Sequence, residues 1–242
     1  MLDDREPRTS RLALLIDADN ISADYLPLII REASALGTLT VKRLYGHFAS
    51  ASMNAWHPLV HEYALTPVHI PPAATGKNAS DMKLAIEAMD LLHRGQIDGF
   101  ALASSDSDFT TLASRIREDG LRVFGFGEKK ATKAYINSFD RFFYCDLLLE
   151  EEKSGDLTKP KRTPTLPMRQ ITAAIEDVSG EDGWAHLGEV GSTIGKRMPD
   201  FDPRNFGFKK LSDLIQSIHT LEVQRSEAGT GTLVQVRVKG SG

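Results

Sequence analysis

The chain has 242 residues, of which 41% are hydrophobic and 26% are charged, a composition typical of globular proteins. Its net charge of −4 excludes a globally basic nucleic-acid-binding protein, so any site for a polyanion must be a local patch. A single cysteine, Cys145, excludes an intramolecular disulfide and a cysteine-rich zinc site, and we expect it to be buried. Since no signal-peptide core or membrane-length apolar run is present, we expect a cytoplasmic protein with no membrane partner.

Strand-like and helix-like segments alternate through residues 11–150, which predicts a parallel sheet with helices on both faces. Short apolar runs mark the strands, and apolar residues three and four positions apart mark the helices. Gly37 is the predicted end of the first helix, and Ser80 is the predicted N-cap of the third. The predicted strands are 12–16, 39–46, 66–70, 100–104 and 121–127, and the predicted helices are 25–36, 52–63, 80–92 and 109–118.

The first strand ends directly in an acid, Asp17. A carboxylate attached to a run of five apolar residues is costly unless another group compensates it, which favours a functional role. Asn20, three residues later, would hydrogen-bond this carboxylate or a substrate. For Asp19, a helix-cap or turn role is about as good an explanation as a functional one.

The strand at 100–104 is followed by the polar turn Ser105-Asp106-Ser107-Asp108. One of these residues, Ser107 or Asp108, would suffice to cap the helix that follows. The turn nevertheless supplies two acids, so we expect one to bind a metal directly and the other to act through water or as a second ligand. Ser105 is the expected supporting residue.

A third acid, Asp81, lies in the first turn of the helix predicted at 80–92. The helix dipole alone would explain an acid there, but the preceding segment, 75–80, is polar, partly basic and suited to a phosphate group. Four lysines beside these loops are candidates for phosphate contacts: Lys77, Lys83, Lys129 and Lys130. Exposure to solvent without a binding role is the alternative explanation for them.

Acids that follow parallel strands meet at one edge of the sheet, where ligands bind in open α/β folds. Several carboxylates gathered there repel one another unless a hard cation lies between them. The sequence therefore predicts a site for Mg²⁺ or Mn²⁺, the chemistry that phosphodiester hydrolysis needs. The predicted ligands and catalytic residues are Asp17, Asp81, Asp106 and Asp108.

The motifs around these acids resemble the NYN domain, the LabA-like branch of the PIN-like nucleases. They are Asp17-x-x-Asn20, Lys77-x-x-x-Asp81-x-Lys83, and Ser104-Ser105-Asp106-Ser107-Asp108-Phe109. The resemblance covers about residues 10–148 and implies a Rossmann-like, PIN-like α/β fold that cleaves RNA with Mg²⁺ or Mn²⁺ held by the four acids.

Two other functions remain open at this point. Asp17-x-Asp19 after a strand also resembles the nucleophile motif of haloacid-dehalogenase-like phosphatases, in which Asp17 would accept a phosphoryl group and Asp19 would act as acid and base. That mechanism does not require Asp81. A non-catalytic RNA-binding adaptor is the third alternative.

The composition changes after residue 150. Residues 151–165 are charged and proline-rich, which predicts a linker. Residues 166–242 then return to regular patterns, with predicted helices at 171–178, 187–198 and 211–218. Two strand-like pieces at 221–226 and 232–238 close the chain, so this part is predicted to be a small winged-helix domain.

The segment Asn205-Phe206-Gly207-Phe208-Lys209-Lys210-Leu211 resembles the hallmark of the OST-HTH, or LOTUS, domain. The resemblance covers about residues 166–239 and implies a winged helix that binds RNA or protein partners. Lys209 and Lys210 are the candidate RNA contacts. With nine basic and ten acidic side chains, residues 166–242 have a net charge of −1, so a protein-docking role stays open. The expected organisation is a tail (1–10), an NYN domain (11–150), a linker (151–165) and an OST-HTH domain (166–242).

Overall fold

The computed structural model describes residues 9–70, 79–154, 165–228 and 231–239. The chain divides between Leu149 and Glu150 into two units, each with its own hydrophobic core. None of the helices in these described ranges has both the length and the apolar character needed to cross a lipid bilayer.

In the first unit, the described residues form a six-stranded sheet in which every neighbouring pair of strands is parallel. The strands lie in the order β3-β2-β1-β4-β5-β6. Their bounds are β1 (Arg11–Asp17), β2 (Thr38–Gly46), β3 (Thr66–His69), β4 (Gly99–Ala103), β5 (Arg122–Gly127) and β6 (Arg141–Tyr144).

Six helices accompany these strands within the described part of the first unit. They are α1 (Leu26–Leu36), α2 (Trp56–Glu62), α3 (Ala79–His93), α4 (Thr110–Glu118), α5 (Lys133–Asn137) and α6 (Cys145–Ser154). The predicted Rossmann-like α/β architecture is confirmed, and so is the burial of Cys145. The first residues of the predicted linker, 151–154, are helical, and residues 155–164 lie outside the described ranges.

Central strand β1 separates two hydrophobic cores, because successive side chains of a strand point to opposite faces of the sheet. Leu12, Leu14 and Ile16 pack with apolar residues of α1, α2 and α6. Ala13 and Leu15 pack with those of α3, α4 and α5 on the other face. By this alternation Asp17 belongs to the same face as α3 and α4.

The strand order reverses direction between β1 and β4. After β1 the chain adds β2 and β3 on one side, and then returns to place β4, β5 and β6 on the other side. Such a reversal opens a crevice at the carboxyl ends of the two strands, which is the usual ligand site of open parallel sheets. Asp17 ends β1, and Ser104 to Asp108 follow β4, so the predicted acids lie at this crevice.

Two features of this unit differ from the prediction. Strand β6 and helices α5 and α6 were not predicted, because the aromatic stretch Phe139 to Tyr144 carries no clear periodicity. Ser80 lies inside α3, whose described part begins at Ala79, so its predicted role as the N-cap is wrong.

In the second unit, the described residues form three α-helices and a three-stranded antiparallel sheet in the order β7-β9-β8. Ile175, Ile194, Leu214 and Val236 lie in its core and are fully buried. This arrangement fits the predicted winged helix. The elements are α7 (Met168–Val178), β7 (Ala185–His186), α8 (Leu187–Arg197), α9 (Leu211–Gln216), β8 (Leu221–Ala228) and β9 (Gly231–Val238).

We expect Gly125→Ala to destabilise the first unit by about 1–3 kcal/mol, the usual cost of overpacking a core. A Cβ atom at this position in β5 would lie 2.5 Å from Phe142 Cδ2 and 2.9 Å from Phe139 Cδ2. Urea denaturation would measure the loss. Gly195→Ala in α8, where a Cβ meets nothing within 4 Å, is the control and should cause no loss. An unchanged midpoint for Gly125→Ala would contradict this account of the core.

Candidate acidic active site

Asp17 is the most buried acid of the site, with 1% of its surface exposed. Its Oδ2 accepts hydrogen bonds from Asn20 Nδ2 and from Ser104 Oγ, each at 2.8 Å. Burial raises the pKa of the Asp17 carboxyl, while the hydrogen bonds from Asn20 and Ser104 act in the opposite direction. The structure thus places Asn20 where the sequence predicted it, as a partner that orients Asp17.

Ser104 connects the two strands that flank the crevice. Because Ile16 pairs with Ala103, the next residues, Asp17 and Ser104, lie side by side. Besides donating to Asp17, Ser104 Oγ accepts from the backbone N–H of Asp106 at 3.1 Å. This role of Ser104 was not predicted, although Ser104 is the first polar residue after the apolar run of β4.

Two further residues, Tyr135 and Ser105, hold the backbone beside the acids in place. The hydroxyl of buried Tyr135 donates to the Ser104 carbonyl at 3.2 Å and so fixes the start of the turn. Ser105, predicted as the supporting serine, accepts instead from the backbone N–H of Glu128 at 2.9 Å. Ser105 therefore positions the loop after β5.

Asp106 caps the 3-10 turn Ser107–Phe109 that precedes α4, and its Oδ1 accepts from the backbone N–H of Asp108 at 2.9 Å. From the sequence, a cap by Ser107 or Asp108 was the alternative to a functional role for this turn, and the structure has Asp106 as the cap instead. Asp108 itself lies exposed in the first turn.

A similar correction applies to Asp19. The N-cap of the 3-10 turn Ala23–Tyr25 is Ser22, whose hydroxyl accepts from the backbone N–H of Asp24 at 3.3 Å. Asp19 lies exposed in the turn directly after β1. It therefore has the predicted position in a turn, but it does not cap the helical turn that follows.

Asp81 joins the other acids from the first turn of α3. Its Oδ1 is buried and has no hydrogen-bond partner among the described residues. Burial, together with repulsion from Asp17, Asp106, Asp108 and Asp19, raises the pKa of Asp81 to about 6. The other carboxylates at the crevice therefore lie close enough to Asp81 to oppose its ionisation.

This arrangement fits a divalent cation in its chemistry. Mg²⁺ and Mn²⁺ prefer carboxylate oxygens, and the site offers a buried Asp81 oxygen that no described residue hydrogen-bonds, beside four further acids. Within the described ranges, no three His, Cys, Asp or Glu side chains are already gathered as a ligand set.

Asp81→Asn should stabilise the metal-free protein at neutral and higher pH. The pKa of Asp81 is about 6 in the folded protein against an ordinary value of 3.8, so the folded state binds this proton more tightly. Ionised Asp81 consequently destabilises the fold above its folded pKa, and the penalty vanishes below its unfolded pKa. Allowing for solvent screening, we expect a gain on the order of 1 kcal/mol at about pH 8.

Thermal melting in EDTA as a function of pH would measure this gain. Asp90→Asn, a change of an exposed acid on the same helix, is the control and should show no such pH dependence. Added Mn²⁺ should reverse the order of stability, because only the wild type has the Asp81 carboxylate as a further ligand. Equal melting of Asp81→Asn and wild type at high pH would contradict the proposed crowding of acids.

The candidate phosphate-binding lysines are mostly exposed and partly paired. Lys83 Nζ forms an ion pair with Glu87 at 3.0 Å, and Lys130 Nζ pairs with Glu128 at 2.7 Å. Lys129 and Lys130 lie on the loop after β5, at the same sheet edge as the acids. Lys77 lies outside the described ranges. Lys209 and Lys210 are exposed and lie directly before α9.

Glu87 organises a polar cluster that was not predicted. One of its oxygens, Oε2, accepts from Arg43 at 2.7 Å and from the Tyr45 hydroxyl at 2.9 Å. Tyr45 is fully buried and pairs with Asp17 across β1 and β2. This cluster therefore ties α3, which carries Asp81, to the strand beside Asp17.

A Rossmann-like parallel sheet with helices on its faces is the core of the PIN-like class of nucleases. The model of the NYN domain, a family of that class, matches residues 11–150. The chain therefore belongs to the NYN family. A second model, the OST-HTH/LOTUS domain, matches residues 164–232, so the chain also carries this RNA-binding domain. Both predicted resemblances are confirmed, in the predicted order.

Three solved structures are similar to parts of the chain. A protein of unknown function from Vibrio parahaemolyticus is 16% identical, with a TM-score of 0.49, and the match covers 58% of this chain and 95% of that one. An uncharacterized protein from Nitrosomonas europaea is 33% identical (TM-score 0.32; 34% and 81% covered). A protein from Chromobacterium violaceum, residues 175–257, is 36% identical (TM-score 0.28; 35% and 91% covered). No curated protein matches this chain. The family assignment rests on the two domain models alone.

Proposed function

We propose that this chain is a metal-dependent ribonuclease that hydrolyses RNA phosphodiester bonds, with a C-terminal domain that directs it to RNA. The observation that carries the proposal is Asp81, whose buried Oδ1 has no hydrogen-bond partner within the described part of the chain and whose pKa is raised to about 6 by burial and by the acids around it. A cluster of this kind is suited to a hard cation and, through it, to a phosphate group.

Asp17, Asp81, Asp106 and Asp108 would hold Mg²⁺ or Mn²⁺. When bound, the cation would neutralise charge on the phosphate and favour deprotonation of the attacking water. Asn20 and Ser104 orient Asp17 through their 2.8 Å hydrogen bonds, and the Asp106 side chain fixes the backbone of the turn that carries Asp108.

RNA would reach this site through contacts from both units. Lys83, Lys129 and Lys130 lie near the acidic edge and would contact backbone phosphates, and we include Lys77 in this set. Lys209 and Lys210 would contribute from the OST-HTH domain, which supports RNA as the partner. A protein partner for that domain is the alternative. The free, buried Cys145 agrees with our assignment to the reducing cytoplasm.

The phosphatase alternative is weaker than the nuclease. Its mechanism needs Asp17 as the nucleophile and Asp19 as the acid and base, and Asp19 lies exposed in the turn after β1. The NYN assignment also accounts for Asp81, which the phosphatase mechanism leaves without a role.

Incubation of the full chain with a mixed RNA pool tests the proposal. We expect cleavage with Mn²⁺ or Mg²⁺ and none with EDTA, and mapping of the product ends would separate endonuclease from exonuclease action. RNA binding that survives chelation, with no cleavage of any RNA, would instead support the adaptor. A trapped aspartyl phosphate would support the phosphatase.

A further inference from the structure

Helix α3 carries two acids in opposite electrostatic surroundings. Asp81, in the first turn, faces four further acids, and burial and their repulsion raise its pKa to about 6. Glu87, further along the helix, faces the cations Arg43 and Lys83. Burial acts to raise the pKa of Glu87, but hydrogen bonds from Lys83 and Tyr45 and the attraction of Arg43 hold it below its ordinary value. Glu87 is therefore an anion whose charge is matched by its neighbours.

The two oxygens of the Glu87 carboxylate bind in two directions. Oε2 accepts from Arg43 Nη1 at 2.7 Å and from the Tyr45 hydroxyl at 2.9 Å, and both donors belong to β2. Oε1 pairs with Lys83 Nζ, on α3 itself, at 3.0 Å. Arg43 and Tyr45 are two positions apart in a strand, so their side chains lie on the same face of the sheet. Glu87 thus joins α3 to β2 through two donors of that strand.

Tyr45 places this link beside the acidic site. It is fully buried and lies opposite Asp17 in the parallel pairing of β1 and β2. Paired residues of neighbouring strands point to the same face of a sheet, which here is the face covered by α3. Strand β2 therefore lies directly beside Asp17 and is connected to the helix of Asp81 through Glu87.

The apolar contacts of α3 restrain its position less closely than these bonds do. Hydrophobic packing is non-directional, whereas a hydrogen bond restricts both a distance and an angle. Repulsion from the other acids acts to move Asp81, and with it the first turn of α3, away from the crevice. The bonds from β2 to Glu87 oppose that movement. The buried apolar residues of the helix are Leu84, Ala88, Leu91 and Leu92.

We propose that Glu87 is a positioning residue of the acidic site: its bonds to Arg43 and Tyr45 hold α3 against β2 and so keep Asp81 at the crevice, where a cation would bind. Glu87 is not among the acids that repel Asp81, so it acts through the helix and not as a further ligand. The proposal rests on the metal-dependent function proposed above for the acids.

Thermal melting of the full chain in a Mn²⁺ titration tests the proposal without RNA. Glu87→Gln keeps the shape of the side chain and removes its charge. We expect the Mn²⁺ concentration that gives half of the maximal stabilisation to rise about tenfold, the usual effect of losing a residue that orients a metal ligand.

Glu32→Gln on α1 is the matched control. Glu32 has a side chain 14% exposed, against 17% for Glu87, and it forms an ion pair with Arg31 at 3.2 Å. Helix α1 packs on the other face of the sheet, away from α3. The control therefore removes a similar charge at a similar depth, and it should bind Mn²⁺ like wild type.

Two further variants keep the test decisive if Glu87→Gln does not fold. Tyr45→Phe removes one donor to Glu87, keeps the ring, and should raise the Mn²⁺ requirement in the same direction. Arg43→Gln removes the other donor of β2 and should act likewise. Combining Arg43→Gln with Glu87→Gln should raise the requirement no further than Glu87→Gln alone, because both substitutions remove the same link.

Cleavage assays separate a positioning residue from a metal ligand. At saturating Mn²⁺, Glu87→Gln should regain most of its cleavage rate, because all four acids are still present. Asp81→Asn lacks one of those acids and should stay slow at any Mn²⁺ concentration.

The outcomes distinguish this proposal from the nuclease assignment. An unchanged Mn²⁺ requirement in both Glu87→Gln and Tyr45→Phe would show that the cluster only supports the fold, which overturns the positioning role and leaves the nuclease intact. A raised requirement, with no cleavage of RNA by wild type, would support the positioning role and overturn the nuclease. A wild-type protein that Mn²⁺ does not stabilise would overturn both.

Discussion

Asp17→Asn should reduce metal-dependent RNA cleavage about a hundredfold or more while leaving the fold intact. Asparagine has nearly the same shape as aspartate, so the position beside Asn20 and Ser104 remains filled. The substitution removes the charge that a cation needs at the centre of the crevice. Because burial raises the pKa of Asp17, a neutral side chain also relieves the cost of burying an ionised group, and the protein should remain folded.

The measurement is initial cleavage rate in Mn²⁺, with melting temperature as the check on folding. Asp106→Asn should behave in the same way. Asp90→Asn, which changes an exposed acid of α3 by the same chemistry, should cleave like wild type. Wild-type rates in both Asp17→Asn and Asp106→Asn would end the assignment of these acids to catalysis.

Ser104→Ala should lower cleavage about 10- to 100-fold, although Ser104 is assigned no contact with the substrate. Its hydroxyl donates to Asp17 Oδ2 and accepts from the backbone N–H of Asp106, so it positions two acids at once. The variant should also lose about 1–3 kcal/mol of stability, because buried polar groups are left unpaired.

A Mn²⁺ titration of activity would distinguish positioning from a general loss of structure. If Ser104 positions the acids, Ser104→Ala should need more Mn²⁺ for half-maximal activity, while the folded fraction stays constant. Ser105→Ala is the matched control, because Ser105 bonds to the loop after β5 and not to the acids. An unchanged Mn²⁺ requirement in Ser104→Ala would show that its role is structural only.

Local sequence patterns predicted most of the first unit. Strands β1, β4 and β5 are short, continuous apolar runs that end in polar residues or glycine, which is how strands buried on both faces are recognised. Strand β6 escaped prediction because its aromatic stretch carries no clear periodicity and it directly adjoins α6. The position of Ser104 beside Asp17 depends on the register between β1 and β4, which lie far apart in sequence. The cap at Asp106 depends on the backbone conformation of one turn, to which Ser107 and Asp108 were equally plausible contributors.

The pairing of β1 with β4 has a consequence for the way the protein is made. A chain that emerges from the ribosome exposes Asp17 long before Ser104, Asp106 and Asp108 exist, and Asp81 also comes later. These residues come together only when β4 inserts beside β1. A nascent chain that ends before Asp108 therefore lacks the complete set of acids. The ribosome is itself built of RNA and is the first RNA that this chain meets. The long separation of the acids in sequence would thus delay the proposed cleaving activity until most of the N-terminal unit has been synthesised and has left the ribosome.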